Sequence, residues 1–436
     1  MHLFIVGAGH VGLVSAVGFA DLGHRVTVTD IDAQRIADLG RGIAPLYEPG
    51  LDDAITRHLA GGALAFTTDP RPPADVAVSF VIVSTPTGPD GPLSMANVEA
   101  AIGGLLERVG PEHVIAIRST LPIDGPDRLL ALVGGRPDRP AIVTNPEFMR
   151  EGTALADFAG PDRVVVGWLE PRDRPAAEIV LGLYESIGAP TMVADARSVA
   201  LVKIANNVLL ATKVAYANEL ARICDVVGAN VDTVVAGIGM DARIGRAFLT
   251  AGPGYGGSCL PEQAVALALA TGLHGVATPL IDAVGHSNET HQQAIVGEIG
   301  RLLAIGRPAG LDGARVALLG LAFKARTDDV RESPALSLAR YLRSAGAAVV
   351  GTDPRAIDKA RRTDPALETA PTVESAVEGA DAVLVATEWP DYAALDWTDL
   401  AGRMRGDLVY DTRAIVDGPR VRAAGLRFAS LGRERP

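Results

Sequence analysis

The first thirty residues carry the feature that most restricts how this chain can fold. A short apolar run is followed by glycines in the spacing G-x-G-x-x-G and then by a helical pattern that ends at Leu22. A second apolar segment, residues 25–29, leads into Asp30. A strand, a glycine-rich turn, a helix, a strand and an acidic residue in this order predict a dinucleotide-binding βαβ unit.

Each part of this unit has a physical role in binding a dinucleotide. The glycines allow a tight turn and a close approach to a pyrophosphate, which the N-terminus of the following helix attracts. The carboxylate of Asp30 can accept a hydrogen bond from a ribose 2′-hydroxyl and would repel a 2′-phosphate, which predicts NAD as the cofactor. The expected cofactor contacts in this stretch are Gly7, Gly9, His10, Val11, Gly12 and Asp30.

Polar residues follow the later strands of the same predicted domain. Strands are expected at residues 76–84, 114–119 and 141–144, and parallel sheets bind ligands beyond the carboxyl ends of their strands. The polar residues at those ends are therefore expected to face the cofactor crevice, although turn chemistry alone also favours such residue types. They are Thr85, Pro86, Thr87, Ser119, Thr120 and Asn145.

A helix is predicted to begin directly after the last of these strands. Asn145 is a good N-cap and Pro146 a good first helical residue. Glu147 and Glu151 are four residues apart and would share one face of that helix. Two carboxylates at a crevice edge can transfer protons, and they can equally serve only to complement the helix dipole.

A long and mostly apolar helix is predicted over residues 198–227. Lys203 and Asn207 lie one turn apart in it and therefore point the same way. A polar spot on a buried helix must be partnered, so this pair is a candidate site. A helix of about 45 Å would also suit a domain spacer and a subunit interface.

The stretch from residue 252 to residue 261 crowds four glycines around Cys259. Pro261 fits the first position of a helix that continues to Ala270. Cys259 would then precede a helix N-terminus, where unpaired N–H groups and the helix dipole favour a thiolate. The alternative is a tight glycine loop that contains an inert cysteine.

A second α/β unit is predicted to begin at Arg315, after a glycine- and proline-containing linker at residues 301–313. Strand patterns recur in it with helical stretches between them, which predicts another parallel sheet. The expected fold class is α/β, with two Rossmann-like parallel-sheet domains joined by a central long helix or helical domain. The expected domain boundaries are residues 1–196, 197–300 and 312–436.

Composition excludes several classes of protein. The chain has 436 residues, enough for two or three domains, and its net charge of −12 argues against a nucleic-acid groove. Its two cysteines, Cys224 and Cys259, suit a reducing compartment, so a cytoplasmic location is expected. The apolar N-terminus lacks a basic leader and a cleavage site and is expected to be a strand. No metal site and no membrane partner are expected.

These motifs, in this order over nearly the whole chain, resemble the UDP-glucose/GDP-mannose dehydrogenase family. The resemblance implies NAD-dependent oxidation of the C6 alcohol of a nucleotide sugar to the carboxylate of a uronate. The expected substrate is UDP-glucose. The segments that carry it are residues 7–12, 47–50, 85–87, 119–120, 145–152, 203–207, 218–219, 243–245, 252–261, 320–324, 327–329, 331–334 and 387–389.

The resemblance also implies a role for individual residues. Cys259 is expected to trap the intermediate aldehyde as a thiohemiacetal and then to carry the thioester that water hydrolyses. Lys203 and Asn207 are implied to stabilise oxyanions or charged intermediates. Thr120 and Glu151 are implied to orient water and transfer protons, and Glu147 to act as a substrate-side or base carboxylate.

The family's ligand contacts carry over onto further positions of this chain. Arg243 resembles the arginine that the family extends into the site of a partner subunit, so a homodimer or larger homo-oligomer is expected. Further cofactor contacts are implied at Thr85, Pro86, Thr120 and Glu151. Substrate contacts are implied at Glu147, Phe148, Met149, Arg150, Lys203, Asn207, Arg243, Tyr255, Gly256, Phe323, Lys324 and Arg413.

The chain departs from the family pattern at two places. Glu262-Gln263 stands where the family usually has Lys-Asp, and Gln263 can hydrogen-bond water but cannot accept a proton from it. Ala414 stands where the family has asparagine. We hypothesise that Glu151 and Thr120 compensate and that the four-electron oxidation is completed.

Two other readings of the sequence stay open. The same chemistry on dTDP-glucose, GDP-mannose or a UDP-N-acetylhexosamine is compatible with the motifs, because specificity resides in the second α/β domain and the sugar pocket. A non-catalytic protein that binds NAD and a nucleotide sugar is an alternative of a different class.

Overall fold

The computed structural model describes residues 1–86, 93–136 and 138–433. The chain divides into two compact units. The first unit contains Met1–Asn206 and Val265–Ala277, and the second contains Asn207–Ala264 and the residues from Thr278 onward. The two α/β sheets lie in different units, so the expected fold class of two sheet domains and a long helix is confirmed.

The first unit is built on an eight-stranded sheet in the order β3-β2-β1-β4-β5-β6-β7-β8. The first six strands are parallel, β7 runs antiparallel to β6, and β8 is parallel to β7. Its strands are β1 (His2–Val6), β2 (Arg25–Thr29), β3 (Leu64–Thr67), β4 (Val76–Val81), β5 (Val114–Ile117), β6 (Ala141–Thr144), β7 (Val164–Trp168) and β8 (Thr191–Asp195).

Helices cover both faces of this sheet, which is why its strands are continuous apolar runs. The interior residues of β1 are completely buried, and an aromatic cluster around Phe19 packs on the sheet. Gly18 allows that packing, because a Cβ at this position would lie 2.1 Å from the ring of Phe158. The helices are α1 (His10–Asp21), α2 (Ala33–Leu39), α3 (Leu51–Ala60), α4 (Ala96–Leu106), α5 (Gly125–Val133), α6 (Ala154–Ala159) and α7 (Arg174–Gly182).

Four helices follow the first sheet in the chain. They are α8 (Ala196–Val227), α9 (Val231–Gly239), α10 (Cys259–Leu273) and α11 (Pro279–Ala304). The long helix expected over residues 198–227 is therefore present. Among the described residues α8 alone has the length and apolar composition of a bilayer-spanning helix, a test that core helices also pass, and 44% of its most apolar stretch is buried.

The second unit contains a fully parallel six-stranded sheet in the order β11-β10-β9-β12-β13-β14. This order repeats that of the first six strands of the first sheet. Its strands are β9 (Arg315–Leu319), β10 (Ala348–Thr352), β11 (Glu368–Thr369), β12 (Ala382–Val385), β13 (Leu408–Asp411) and β14 (Arg427–Ser430). Its helices are α12 (Pro334–Ser344), α13 (Ile357–Thr363), α14 (Val373–Val377), α15 (Pro390–Ala393), α16 (Trp397–Arg403) and α17 (Gly418–Ala423).

The predicted helix at residues 145–152 is absent, and α6 begins only at Ala154. The side chain of Asn145 is not a cap, because its Oδ1 accepts from Arg118 and Tyr184 and its Nδ2 donates to the carbonyl of Val165. Glu147 and Glu151 therefore do not share a helical face. The predicted linker at residues 301–313 also begins later, since α11 continues to Ala304.

The loop after β13 holds an alanine in a strained conformation. The carboxylate of Asp411 accepts hydrogen bonds from the backbone N–H groups of residues 413–416. This turn places Ala414 at a φ of 55°, in the left-handed region that disfavours a Cβ.

We expect Ala414→Gly to raise the free energy of unfolding of the second unit by about 0.5–1 kcal/mol, because relief of the left-handed strain outweighs the added freedom of the unfolded chain. Two of the three tryptophans, Trp389 and Trp397, lie in this unit, so fluorescence during urea unfolding would report the change. Ala424→Gly is the matched control, because Ala424 has a φ of −80°, and it should lower stability. Equal effects of the two substitutions would contradict the strain.

Candidate active site

The predicted fingerprint forms a tight turn that requires glycine at its first and third glycine positions, Gly7 and Gly12. Gly7 has a φ of 110°, and a Cβ there would lie 2.2 Å from the carbonyl oxygen of Ile82. A Cβ on Gly12 would lie 2.0 Å from the carbonyl oxygen of Gly7, so α1 starts tightly against the end of β1. Gly9 differs, because a Cβ there would meet nothing within 4 Å. The open space therefore lies in front of Gly9.

The N-terminus of α1 is suited to an anion. Gly9 is its N-cap and provides no side-chain hydrogen bond, and its first turn contains no acidic residue. The first N–H groups of such a helix attract phosphate. His10 lies beside them and is held by Glu48, whose Oε2 lies 2.8 Å from His10 Nε2. The same carboxylate accepts from the backbone of Gly152 and Ala154, so Glu48 joins three segments of the first unit.

Asp30 closes the turn at the end of β2. Its Oδ2 accepts from the N–H of Ala8 at 2.8 Å, its Oδ1 accepts from Asp32, and Arg35 lies 3.0 Å away. A carboxylate at this place suits the ribose hydroxyls of NAD. The glycine cradle, the open helix N-terminus and Asp30 together fit a dinucleotide.

The second sheet has a glycine and an aspartate at the corresponding positions, but its aspartate already accepts hydrogen bonds from five protein donors. Gly320 ends β9 as Gly7 ends β1, and Asp353 follows β10 as Asp30 follows β2. The carboxylate of Asp353 accepts from two backbone N–H groups after Gly320, from two more after β10 and from the indole of Trp389. These five donors leave Asp353 a structural role rather than a place for a second ribose.

Lys203 and Glu147 form a buried ion pair in the first unit. Lys203 Nζ donates to the backbone carbonyl of Glu147 and lies 3.3 Å from its Oε1, while Glu147 Oε2 accepts from the N–H of Met149. Burial alone would raise the pKa of Glu147, but Lys203, Arg118 and the Met149 N–H outweigh it and hold the pKa below its ordinary value. Glu147 is therefore a carboxylate at neutral pH.

Two arginines that the sequence analysis did not identify support this pair. Arg118 is buried at the end of β5 and donates to Ser15, Asn145 and Tyr184. Arg163 lies 4.0 Å from the ring centre of Phe148 and donates to Asn206 Oδ1, and Lys203 Nζ lies 5.1 Å from the same ring. An arginine at the end of an apolar strand run was the signal that could have identified Arg118.

The glycine-rich loop before Cys259 is clamped from two helices in the second unit. Asn218 on α8 accepts from the N–H of Gly252, and His291 on α11 donates to its carbonyl at 2.7 Å. Asn288 bonds both backbone groups of Tyr255, whose hydroxyl donates to the carbonyl of Val284. Burial lowers the pKa of His291 to about 4, so its ring is neutral and stays a donor through Nε2.

Cys259 is the first residue of α10, one position inside the helix rather than before it as predicted. It is exposed, and Ser258 Oγ lies 3.7 Å from its Sγ. The helix dipole at this position favours an anionic sulfur. Gln263 lies one turn further along, is buried, and its Oε1 accepts from Asn207 Nδ2 at 2.9 Å. The structure thus joins Asn207 to Gln263, which lies one helical turn after Cys259 on α10.

Three predicted substrate contacts in the loops of the second sheet, Phe323, Lys324 and Arg413, lie next to one another. Arg413 donates to the carbonyls of Phe323 and Ala386 and lies 3.0 Å from Glu388. Lys324 Nζ lies 5.4 Å from the ring centre of Phe323. A Cβ on Gly257 would lie 3.1 Å from that ring, so the Phe323 side chain packs against the loop of Cys259.

The other predicted site residues lie at varied positions. Arg150 and Arg243 are exposed and paired with Asp157 and Asp241 respectively, and Tyr255 is buried beside Gly256. Thr87 lies outside the described residues. Within the parts of the chain that the structure describes, no group of three or more His, Cys, Asp or Glu residues could hold a metal. Among the predicted cofactor and substrate contacts, Val11, Thr85, Thr120, Met149 and Glu151 are partly exposed, and Pro86 is exposed.

A dinucleotide cradle on one sheet, a second sheet of the same topology and a cysteine at a helix N-terminus define an NAD-dependent dehydrogenase with a second ligand domain. The NAD binding domain of the UDP-glucose/GDP-mannose dehydrogenase family matches residues 1–188, its central domain residues 197–290 and its UDP binding domain residues 317–418. The chain belongs to this family. NAD as cofactor and a nucleotide sugar as substrate are thereby confirmed.

Individual relatives extend over the whole chain. The UDP-glucose 6-dehydrogenase of Rhizobium meliloti is 38% identical, over 99% of this chain and 100% of the relative. A UDP-glucose dehydrogenase structure from Pyrobaculum islandicum has a TM-score of 0.86 at 34% identity and covers 99% of this chain and 98% of that one. A UDP-D-ManNAc dehydrogenase structure from Pyrococcus horikoshii has a TM-score of 0.85 at 26% identity, covering 99% of both chains.

The second and third glycines of the fingerprint, Gly9 and Gly12, give a matched pair of substitutions. We expect Gly9→Ala to leave the melting temperature nearly unchanged and to raise the Kd for NAD about tenfold, because the methyl group enters the open space where a pyrophosphate approaches. Gly12→Ala should lower the melting temperature itself, because its Cβ would clash with the Gly7 carbonyl. Calorimetric titration with NAD and thermal scans measure both, and a destabilised Gly9→Ala with intact affinity would contradict the assignment.

Proposed function

We propose that this protein oxidises the C6 alcohol of UDP-glucose to the carboxylate of UDP-glucuronate, with two NAD⁺ consumed per sugar. The observation that carries the proposal is the position of Cys259, exposed at the first residue of α10 at the end of a loop clamped by Asn218 and His291. Relatives named UDP-glucose 6-dehydrogenase support the choice of substrate. NAD⁺, when bound at the cradle of the first sheet, supplies the hydride acceptor.

The side chains of the first unit are suited to the alcohol. Lys203 is a buried cation whose Nζ already donates to Glu147, so it can stabilise negative charge on an oxygen nearby. Glu147 is held as a carboxylate and can accept a proton or bind a sugar hydroxyl. We assign Thr120 and Glu151 to the orientation of water and to proton transfer.

Cys259 and its neighbours are suited to the aldehyde. A thiolate at the start of α10 can add to the aldehyde carbon and hold it covalently between the two oxidations. We assign Asn207 to the stabilisation of the resulting charge, and Phe323, Lys324 and Arg413 to the nucleotide sugar. Hydrolysis of the thioester then returns the cysteine.

We retain three domains at residues 1–196, 197–300 and 312–436 and a cytoplasmic location as parts of this proposal. Two free cysteines suit a reducing compartment. The first domain would hold NAD, the central domain Cys259, and the third the nucleotide sugar. The remaining cofactor contacts, Thr85 and Pro86, and the substrate contacts Phe148, Met149, Arg150, Tyr255 and Gly256 stay assigned as expected from the sequence.

The stoichiometry of the reaction tests the proposal. With UDP-glucose and excess NAD⁺ we expect two NADH per sugar and UDP-glucuronate as the product, measured by absorbance and by chromatography. Cys259→Ser should stop turnover at or before the second oxidation, because a hydroxyl at this position forms no thioester. Unchanged uronate formation by that variant would remove Cys259 from the mechanism. UDP-N-acetylhexosamine, dTDP-glucose and GDP-mannose should react more slowly than UDP-glucose.

We infer further that the protein acts as a homodimer through α8. Leu209, Tyr216 and Ile223 are exposed on this helix at intervals of seven residues and form an apolar stripe. Lys203, Asn207 and Asn218 lie on the opposite side of the helix by its angular spacing. A stripe of this length on a helix suits a helix–helix seam between two copies. The exposed Arg243 would then reach the partner's site.

A charged substitution in the apolar stripe tests whether the stripe forms the dimer interface. Ile223→Glu should convert the dimer to a monomer, because it buries a carboxylate in the seam, and light scattering would report the mass. Activity should fall with it, since Arg243 would lose the site that it completes. Ile179→Glu is the matched control, because Ile179 is similarly exposed but lies on α7. A monomeric wild-type protein would contradict the inference.

A further inference from the structure

The first turn of α10 places two side chains beside Cys259. Glu262 follows the cysteine by three residues and Gln263 by four, so both lie on its side of the helix, about 5–6 Å away between Cβ atoms. The helical spacing of about 100° per residue turns these two side chains in different directions. Their surroundings in the second unit show which way each one faces.

Glu262 faces the segment at residues 329–332. Burial raises the pKa of Glu262, Arg331 opposes that rise, and Glu332 and Asp329 add to it. The same segment supports the cysteine loop, because the carbonyl of Arg331 accepts from the N–H of Gly257. The carboxyl group of Glu262 therefore lies close enough to this segment to interact electrostatically with its charges.

Gln263 faces α8, and within the described part of the chain only one of the two polar atoms of its side chain has a hydrogen-bond partner. It is 4% exposed, and its Oε1 accepts from Asn207 Nδ2. Among the described residues this is the only hydrogen bond of the Gln263 side chain, so the Nε2 group has no acceptor. Nε2 is nevertheless accessible to solvent, unlike the fully buried and unpaired Nδ2 of Asn218, so an oxygen of a bound molecule can replace water as its acceptor. The Nε2 group of Gln263 is thus available, one turn of helix from Cys259, to donate to an oxygen of a bound molecule.

We propose that Gln263 is a catalytic residue whose Nε2 group donates a hydrogen bond to the oxyanion formed when Cys259 adds to the substrate aldehyde. The inference rests on the proposed function. In this step a lone pair of Sγ forms the C–S bond, and the π pair of the carbonyl moves to oxygen and makes an alkoxide. No proton is transferred, so the step needs donors near the oxygen and not a base.

The side-chain amide of Gln263 can donate a hydrogen bond to an alkoxide, but it cannot act as a base towards water, because it cannot accept the proton of an attacking water molecule. The bond from Asn207 fixes the Gln263 oxygen, which leaves the nitrogen as the group available to a substrate oxygen. A carboxylate at this position would instead repel the alkoxide.

Gln263→Glu tests whether the second oxidation needs a hydrogen-bond donor at position 263 or is helped by a base there. Glutamate has the same shape and can still accept from Asn207, so the fold should be kept. With the nucleotide-sugar 6-aldehyde and excess NAD⁺, stopped-flow absorbance reports NADH from the second oxidation directly. We expect this rate to fall about 10²-fold, which is typical for the loss of one oxyanion donor. A rate equal to or above that of the wild type would overturn the proposal and make position 263 a site for a base.

Two further variants and one chemical control complete the experiment. Gln263→Met removes the donor without adding charge and should slow the same step, whereas Glu262→Gln should leave it unchanged, because Glu262 faces residues 329–332. Circular dichroism and NAD affinity verify folding. A fast Gln263→Met would count against the proposal even if Gln263→Glu fails to fold.

The proposed function is tested separately by iodoacetamide. Alkylation of Cys259 in the wild type should abolish oxidation of the aldehyde. If alkylated enzyme still oxidises it at the full rate, the proposed function fails and the role of Gln263 fails with it. If alkylation stops the reaction but Gln263→Glu does not slow it, only the role of Gln263 is wrong.

Discussion

The burial of polar side chains on one apolar helix obliges each of them to find a partner, and the partners here are the candidate functional segments. Lys203, Asn207 and Asn218 lie within about 60° of one another around α8. Lys203 holds the segment of Glu147, Asn207 holds Gln263 on the turn of Cys259, and Asn218 holds Gly252 at the start of the cysteine loop. Removing one partner would leave a buried polar group or charge unpaired, which is strongly destabilising. Within each unit, the bonds that satisfy the polar side chains of the helix therefore also hold the segment that carries the candidate chemical groups of that unit.

The two sheets show how one topology serves two purposes. In both, a glycine in the left-handed region ends the first strand and an aspartate follows the second. Asp30 accepts from two backbone N–H groups and from Arg35 and lies beside a helix N-terminus without a side-chain cap, whereas Asp353 accepts from four backbone N–H groups and one indole. The second sheet therefore offers its ligand other groups, among them Lys324 and Arg413. Fold similarity alone does not distinguish the two domains, because the difference lies in how many donors each carboxylate already accepts.

Much of this arrangement could be predicted from local pattern. The fingerprint glycines, the long helix and the polar pair at Lys203 and Asn207 follow from periodicity and from the requirement that buried polar groups be paired. The helix predicted from Asn145 was wrong, because Arg118, Tyr184 and Val165 take the side-chain atoms that would have capped it. Strands β7 and β8 were not predicted, and an antiparallel pairing such as that of β6 with β7 depends on which strand edges meet.

The sequence by itself predicted the dinucleotide fold, NAD as the cofactor and a cysteine at the start of a helix, because each of these rests on residues close together in the chain. Only the tertiary structure decided which groups surround the cysteine. The contact between Asn207 and Gln263 joins residues 56 positions apart, and the clamp of His291 on Gly252 joins residues 39 positions apart. Such contacts depend on how helices pack, and no local propensity encodes them. The sequence contains Gln263, but only its bond to Asn207 determines that the nitrogen is left as a donor.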